Sequence, residues 1–330
     1  MKKTKRPTIG LALSGASTRS VFYIGFLEVL QEQNIKIDYI SATSSSSIVA
    51  AAFACGTLEK LKKVVLNLNR KLLFSLIGND ESKSGFYNMD RVGEVIRQFT
   101  LGKNFADVRP FLEFVSTDIE RGEQVVLSMG DIAKAACASC VLPGIFEPIM
   151  WGNKPLVDGG IVSVIPGDVA KKAGCDIVIG FDLRTTPFVF EKWEIKLGKF
   201  YQAYKKLFSF NYQEWFWSLV RLKRTENASL RFFHHSTLDE GERKMPSMLG
   251  ILSKAINIAE KSHTDSRNIL NQYFCDILVR PPLSTLPLWK RFLYLNFTDF
   301  KSIEKVYILG RTTALEQLPK IRQLINEKSK

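Results

Sequence analysis

The sequence predicts an α/β fold with a parallel sheet covered by helices on both faces, and three observations carry that expectation. Strand-like apolar runs alternate with helix-periodic stretches through residues 8–182. The first run, residues 8–14, is apolar nearly throughout, as expected of a strand buried on both faces. The strands at 8–14 and 37–43 each pass into a helix through a run of mainly small residues.

After the first strand, Gly15-Ala16-Ser17-Thr18-Arg19-Ser20 forms a small-residue loop, leading into an amphipathic helix with Phe22, Phe26, Leu27 and Leu30 on one side. A strand, a small-residue loop and a helix make a place where backbone N–H groups bind an anion or oxyanion. The second strand, around 37–43, runs directly into an Ala-rich helix at 46–55. Its corner reads Ala42-Thr43-Ser44-Ser45-Ser46, against the G-x-S-x-G of a nucleophile elbow. Ala and Ser stand at the two glycine positions. Alone, such a corner also suits an ordinary α/β domain.

A helix is expected at 58–73, a polar loop at 78–88 and a helix at 89–99. A strand at 111–117, a turn at 118–123 and a strand at 124–128 read as a hairpin. A helix at 130–139 precedes Val141-Leu142-Pro143-Gly144. Leu156-Val157-Asp158-Gly159-Gly160 then places an acid before two residues free to take positive φ. As a bare motif, Asp-Gly-Gly is equally a turn. A strand at 176–182 closes the alternating pattern.

The 330 residues, 45% hydrophobic, suffice for one large core or two small ones. The net charge of +13 is uneven: residues 1–185 carry 22 basic and 19 acidic side chains, residues 186–330 carry 24 and 14. A basic half points to an anionic partner or to a solvated face. Five cysteines in apolar contexts suggest reduced packing residues and a cytoplasmic protein. Cys137 and Cys140 form a C-x-x-C with no second pair and no nearby His, so no metal is expected. The run 9–13 reads as a folded first strand rather than a signal peptide, and no apolar stretch approaches the ~18 residues of a membrane span.

Taken in order, these pieces resemble the patatin-like phospholipase family in its small bacterial form. The glycine-rich oxyanion loop of that family falls on Leu13–Ser20, followed by Ile24-Gly25-Phe26-Leu27, and its G-T-S-x-G on residues 42–46. Its D-G-[GA] matches Asp158-Gly159-Gly160 unchanged. Gly85-Phe86-Tyr87-Asn88, Ser116-Thr117-Asp118 and residues 138–146 resemble the family as well, nearly continuously over 8–185. Likeness resumes at residues 275–281 and at a strand expected over 306–310. The resemblance implies a three-layer α/β/α sandwich with a mainly parallel central sheet, forming a single domain over residues 1–330. It implies a Ser44–Asp158 dyad acting on lipid esters through an acyl-enzyme, with no cofactor. Backbone N–H groups of Gly15, Ala16, Ser17, Thr18 and Ser45 would receive the oxyanion, with Arg19 adding positive charge. Ala42, Ser46, Gly159 and Gly160 would support the motifs. Independently, the only histidines, His234, His235 and His263, lie outside the motif-bearing stretch, which leaves a Ser-His-Asp triad without an obvious His.

The departures sit at the chemistry. Three loop glycines of the family are Ala16, Ser17 and Ser20 here, and a non-Gly residue at positive φ costs about 1–2 kcal/mol. Two readings follow: a working acyl hydrolase with a modified oxyanion loop, or a weakened lipid- or partner-binding homologue. Residues 186–245 read as a basic aromatic insertion. Trp193, Leu197, Phe200, Tyr204 and Phe208 recur at helical spacing, and 191–224 carry eight Lys/Arg against three Glu. That composition suits a lid, an anionic membrane surface on the inner face, or packing on its own domain. Nucleic acid is disfavoured because no recognised motif accompanies the charge. Helix 247–272 reads as core packing and the tail 312–330 as a solvated helix; the oligomeric state does not follow.

Overall fold

The computed structural model describes residues 6–68, 89–183, 251, 255, 258, 273–283 and 303–329. The loop expected at 78–88, the 85–88 segment, the insertion at 186–245 and its basic stretch 191–224 lie outside these residues, as do the three histidines.

An eight-stranded sheet forms the centre. Its strands are β1 (Ile9–Leu13), β2 (Tyr39–Thr43), β3 (Phe111–Asp118), β4 (Glu123–Leu127), β5 (Ile149–Trp151), β6 (Lys154–Asp158), β7 (Ile177–Phe181) and β8 (Ile277–Val279). In space they run β5-β6-β3-β2-β1-β7-β8, with β4 also on β3. The pairs β3-β2, β2-β1, β1-β7 and β7-β8 are parallel, and β4, β5 and β6 add antiparallel pairs at one side. Strands β1, β2 and β7 are buried at every residue, as expected of parallel strands covered on both faces.

The helices are α1 (Val21–Glu32), α2 (Ser46–Ala54), α3 (Leu58–Leu66), α4 (Asp90–Thr100), α5 (Ile132–Cys140), α6 (Gly167–Lys172) and α7 (Ile303–Lys328). On one face of the sheet Phe22, Tyr23 and Phe26 of α1 close on Phe181, with ring centroids 6.2, 5.4 and 4.8 Å away. Burying such a ring contributes about 1.5–3 kcal/mol. On the other face α6 sets Val169 and Ala170 against Ala12, Tyr39, Val115 and Val178. Helices on both faces give the layered α/β/α arrangement. In the 247–272 stretch, Ile251 and Ala255 are helical and buried.

Two expectations need correction. Helix α3 ends at Leu66, where the Asn67 side-chain amide donates back to the Lys63 carbonyl at 2.7 Å and closes the last turn; residues 69–73 of the expected helix lie outside the described residues. The run 306–310 is no strand: it lies inside the 26-residue helix α7. The Val-Tyr-Ile-Leu run suits a strand locally, but the buried positions Ile303, Gly310, Ala314, Leu318 and Ile321 follow the helical repeat. Helix α7 packs on α1 with backbones nearly touching. A Cβ on Gly310 would lie 2.0 Å from the Phe22 carbonyl oxygen, and one on Gly25 would lie 2.3 Å from that of Tyr307. Glu28 on α1 reinforces the seam, accepting from Lys62, Tyr307 and Arg311 at 2.9, 2.6 and 3.1 Å.

Candidate active site

One edge of β3 carries two strands end to end. Strand β2 pairs with Phe111–Val115 and β6 with Ser116–Asp118, while β4 takes the opposite edge. Thr43 is in register with Val115 and Asp158 with Ser116. Because β2 runs parallel to β3 and β6 antiparallel, their ends meet head-on at adjacent residues of a third strand. Ser44 follows Thr43, and its hydroxyl donates to Asp158 Oδ2 at 2.5 Å.

Ser44 sits at φ +60, in the left-handed region that non-glycine residues rarely adopt. Ser45 is already helical at φ −55 and α2 starts at Ser46. The turn is held from four sides. The Ser44 N–H donates to Ser139 Oγ at 2.8 Å, and its carbonyl accepts from the Ser47 N–H and hydroxyl at 2.9 and 2.6 Å. Ser46 is fully buried, and its Oγ accepts from the Thr43 N–H at 3.1 Å. The same Oγ lies 2.7 Å from the Thr43 carbonyl and 3.0 Å from that of Leu13. The hydroxyl at this glycine position is therefore used to join the corner to the end of β1. Ala42 is fully buried in the sheet, where only a small side chain separates it from Phe114 and Leu13 in neighbouring strands.

Asp158 is held as firmly. Its Oδ1 accepts from the Gly160 N–H at 2.7 Å, its carbonyl from the Thr117 hydroxyl at 2.8 Å, and its N–H donates to Val141 at 2.7 Å. Burial pushes its carboxyl up to about 6, against the hydrogen bonds from Ser44 and Gly160. The two glycines that follow do not take the positive φ expected of them. Gly159 is needed for closeness instead: a Cβ there would stand 2.2 Å from the Val115 carbonyl oxygen. Gly160 supplies its N–H to the acid.

The loop after β1 lies directly against the nucleophile. A Cβ on Gly15 would be 2.7 Å from Ser44 Cβ and 3.5 Å from its Oγ. Of the three replaced glycines only Ser17 takes a left-handed conformation, at φ +52. Ala16 has a negative φ of −151, and residues Ser17–Ser20 wind into a single 3-10 turn. Thr18 lies within that turn, and Ser20 Oγ and Ser45 Oγ share a hydrogen bond of 2.5 Å. Arg19 folds back on its own loop, Nε donating to the Ala16 carbonyl at 3.3 Å, and burial lowers its pKa.

The structure brings Ser44, Asp158 and Gly15 together and places Ser45 beside Ser20. It adds Ser139 and Thr117, for which residues 116–118 and 138–146 carried only a resemblance and no assigned role. Cys140 lies 3.7 Å from Ser47 Oγ; burial and the Asp158 carboxylate push its thiol well up. Burial pushes Cys137 to about 12, so neither cysteine offers a thiolate. Among the described residues no group of three His, Cys, Asp or Glu side chains is placed to hold a metal, and no helix is long and apolar enough to cross a membrane.

Residues 11–171 match the family model for patatin-like phospholipase. An NTE family protein of Mycobacterium tuberculosis is 24% identical over 184 residues, 56% of this chain and 51% of that protein. Lysophospholipase NTE1 of Kluyveromyces lactis is 29% identical over 188 residues, 53% of this chain and 12% of that protein. The chain thus spans about half the length, or less, of the curated relatives it matches. Among solved structures, VipD from Legionella pneumophila aligns with a TM-score of 0.46 and 13% identity, covering 78% of this chain and 67% of that one.

Proposed function

We propose, from the premise that this chain belongs to the patatin-like phospholipase family through residues 11–171, that it is a serine acyl hydrolase acting on lipid esters. The observation that carries this reading is the 2.5 Å hydrogen bond from Ser44 Oγ to Asp158 Oδ2, made by a serine held at φ +60. Asp158 removes the Ser44 proton as Oγ attacks the ester carbonyl carbon. The tetrahedral intermediate collapses to an ester on Ser44, and Asp158 returns the proton to the departing alcohol. Asp158 then takes a proton from water as its oxygen attacks the acyl carbon, and returns that proton to Ser44 Oγ as the second intermediate collapses and the fatty acid leaves.

The Ser44 N–H is spent on Ser139, so it cannot serve the oxyanion. This reading assigns that task to backbone N–H groups of the Gly15–Thr18 loop and of Ser45, which begins the helical turn beside the nucleophile. Arg19 holds the loop through the Ala16 carbonyl. An intact dyad, and hydroxyls at 20 and 46 that make hydrogen bonds in place of glycine, favour the working hydrolase over the weakened homologue. Contact of residues 191–224 with an anionic membrane surface remains part of the proposal on sequence grounds.

Labelling by a lipid-like fluorophosphonate tests it, comparing wild type, Ser44→Ala and Asp158→Asn, with and without anionic vesicles. Wild type labels and both variants lose labelling. A wild type that stays unlabelled with vesicles present sinks the hydrolase reading.

A further inference from the structure

We infer that Ser139 is a positioning residue for the nucleophile: its hydroxyl bridges the Ser44 N–H to the Val115 carbonyl and holds Ser44 in its left-handed turn, aimed at Asp158. The inference rests on the reading of Ser44 as the nucleophile.

The edge of β3 changes partner between Val115 and Ser116, where β2 leaves and β6 arrives. With Thr43 in register with Val115, the next rung of a parallel ladder would run from the Ser44 N–H to the Val115 carbonyl. Ser44 turns away at φ +60 instead. A corner of this kind leaves one donor and one acceptor of the ladder without their usual partners. Ser139 fills the gap. Its Oγ accepts from the Ser44 N–H at 2.8 Å and donates to the Val115 carbonyl at 2.6 Å, and the residue is fully buried. A hydroxyl accepts and donates through one small atom, which no other buried side chain of that volume does.

The bridge also reaches the acid. The carbonyl that Ser139 engages is the one against which Gly159 packs, with room for no side chain. Gly159 follows Asp158, so Ser139 references the nucleophile and the acid to a single peptide group of β3. Without the hydroxyl, the Ser44 N–H and the Val115 carbonyl both lose their partner. Relief comes by Ser44 moving toward the direct rung, which swings Oγ off Asp158. A displacement near 1 Å at a reacting atom costs on the order of 100-fold in rate.

The test uses the full chain and the fluorophosphonate, with rates counted per folded molecule and hydrolysis of a short-chain ester measured alongside. Ser139→Ala is expected to slow labelling and kcat about 100-fold, leaving KM and the midpoint of the pH profile in place. Ser139→Thr keeps the hydroxyl and is expected to recover at least about tenfold of that loss. Thr313→Val, a near-isosteric change that removes a buried hydroxyl of α7 making no hydrogen bond, matches wild type. If Ser139→Ala does not fold, Ser139→Cys takes its place, its thiol being a poor bridge, with a loss of at least about tenfold expected. The Ser44 amide, protected from hydrogen exchange in wild type, exchanges faster in the alanine or cysteine variant. Wild-type rates per folded molecule in both of those variants, or equal impairment of the alanine and threonine variants, overturn the inference and leave the dyad reading standing. An unlabelled wild type removes the dyad reading itself.

Discussion

Ser44 and Asp158 meet across 2.5 Å because adjacent residues of β3, Val115 and Ser116, hold the ends of the two strands that deliver them. The acid is fixed by the sheet, through Thr117, and by the end of α5, through the Val141 carbonyl, rather than by a free loop. In the proposed dyad, and with no third group orienting the acid among the described residues, the backbone supplies the orientation that an Asp gives His in a triad.

Activity should rise with pH through a midpoint near 6 and stay flat above it. In the proposed mechanism the base is the Asp158 carboxylate, and burial lifts that carboxyl to about 6, so the working form is lost as pH falls through that value. Labelling rates from pH 4.5 to 8.5 check this. A midpoint below 4.5 would show that the carboxylate is well solvated when reactive.

Asp158→Asn should be inactive yet more stable than wild type at pH 8. The folded carboxyl sits at about 6 against an ordinary 3.8, so its proton is held more tightly in the folded state. The associated stability is complete below 3.8 and is lost as pH rises through 6. Above that, the buried carboxylate costs about 3 kcal/mol, a penalty that asparagine escapes while still accepting from Gly160. Urea unfolding at pH 8 should favour the variant by up to about 3 kcal/mol, narrowing to about half at pH 5. A variant less stable than wild type at pH 8 contradicts the argument.

Much of this site is legible in the sequence. Ser44 and Asp158 stand out because an elbow and an Asp-Gly-Gly are local patterns. Ser139 does not, since its role comes from a break in strand pairing that only the sheet order creates. The reason for Gly159 is also invisible, because closeness to Val115 is a contact 44 residues away rather than a backbone dihedral. The run 306–310 misleads for the opposite reason: its local propensity favours a strand, and the packing of α7 on α1 overrides it.

Restoring the family glycine at position 46 should harm the protein. Ser46 Oγ serves the Thr43 N–H and a carbonyl at the strand ends, and the residue is fully buried. Ser46→Gly leaves those groups unpaired and adds helix-propensity loss, together about 2–3 kcal/mol. Urea unfolding checks the loss, and the labelling rate should not increase. A faster or more stable glycine variant would show that the hydroxyl is merely tolerated.

The seam between α1 and α7 reverses the usual ranking of glycines. Gly102 has φ +67 with open space around it, so Gly102→Ala meets only backbone strain, about 1 kcal/mol. Gly310 has ordinary helical geometry, yet a methyl there would stand 2.0 Å from the Phe22 oxygen and 2.9 Å from its carbonyl carbon. Neither atom can swing aside as a flexible side chain would, so α7 must shift bodily. Gly310→Ala should therefore cost about 3 kcal/mol, as overpacking does at its upper range. Phe22 lies two residues beyond the Ser17–Ser20 turn, so displacing α1 there also disturbs the loop that presses Gly15 on Ser44. Gly310→Ala should lower the labelling rate per folded molecule, whereas Gly102→Ala should not. Equal stability losses in the two variants would mean that the helices separate freely, and that the C-terminal helix contributes nothing to holding the site.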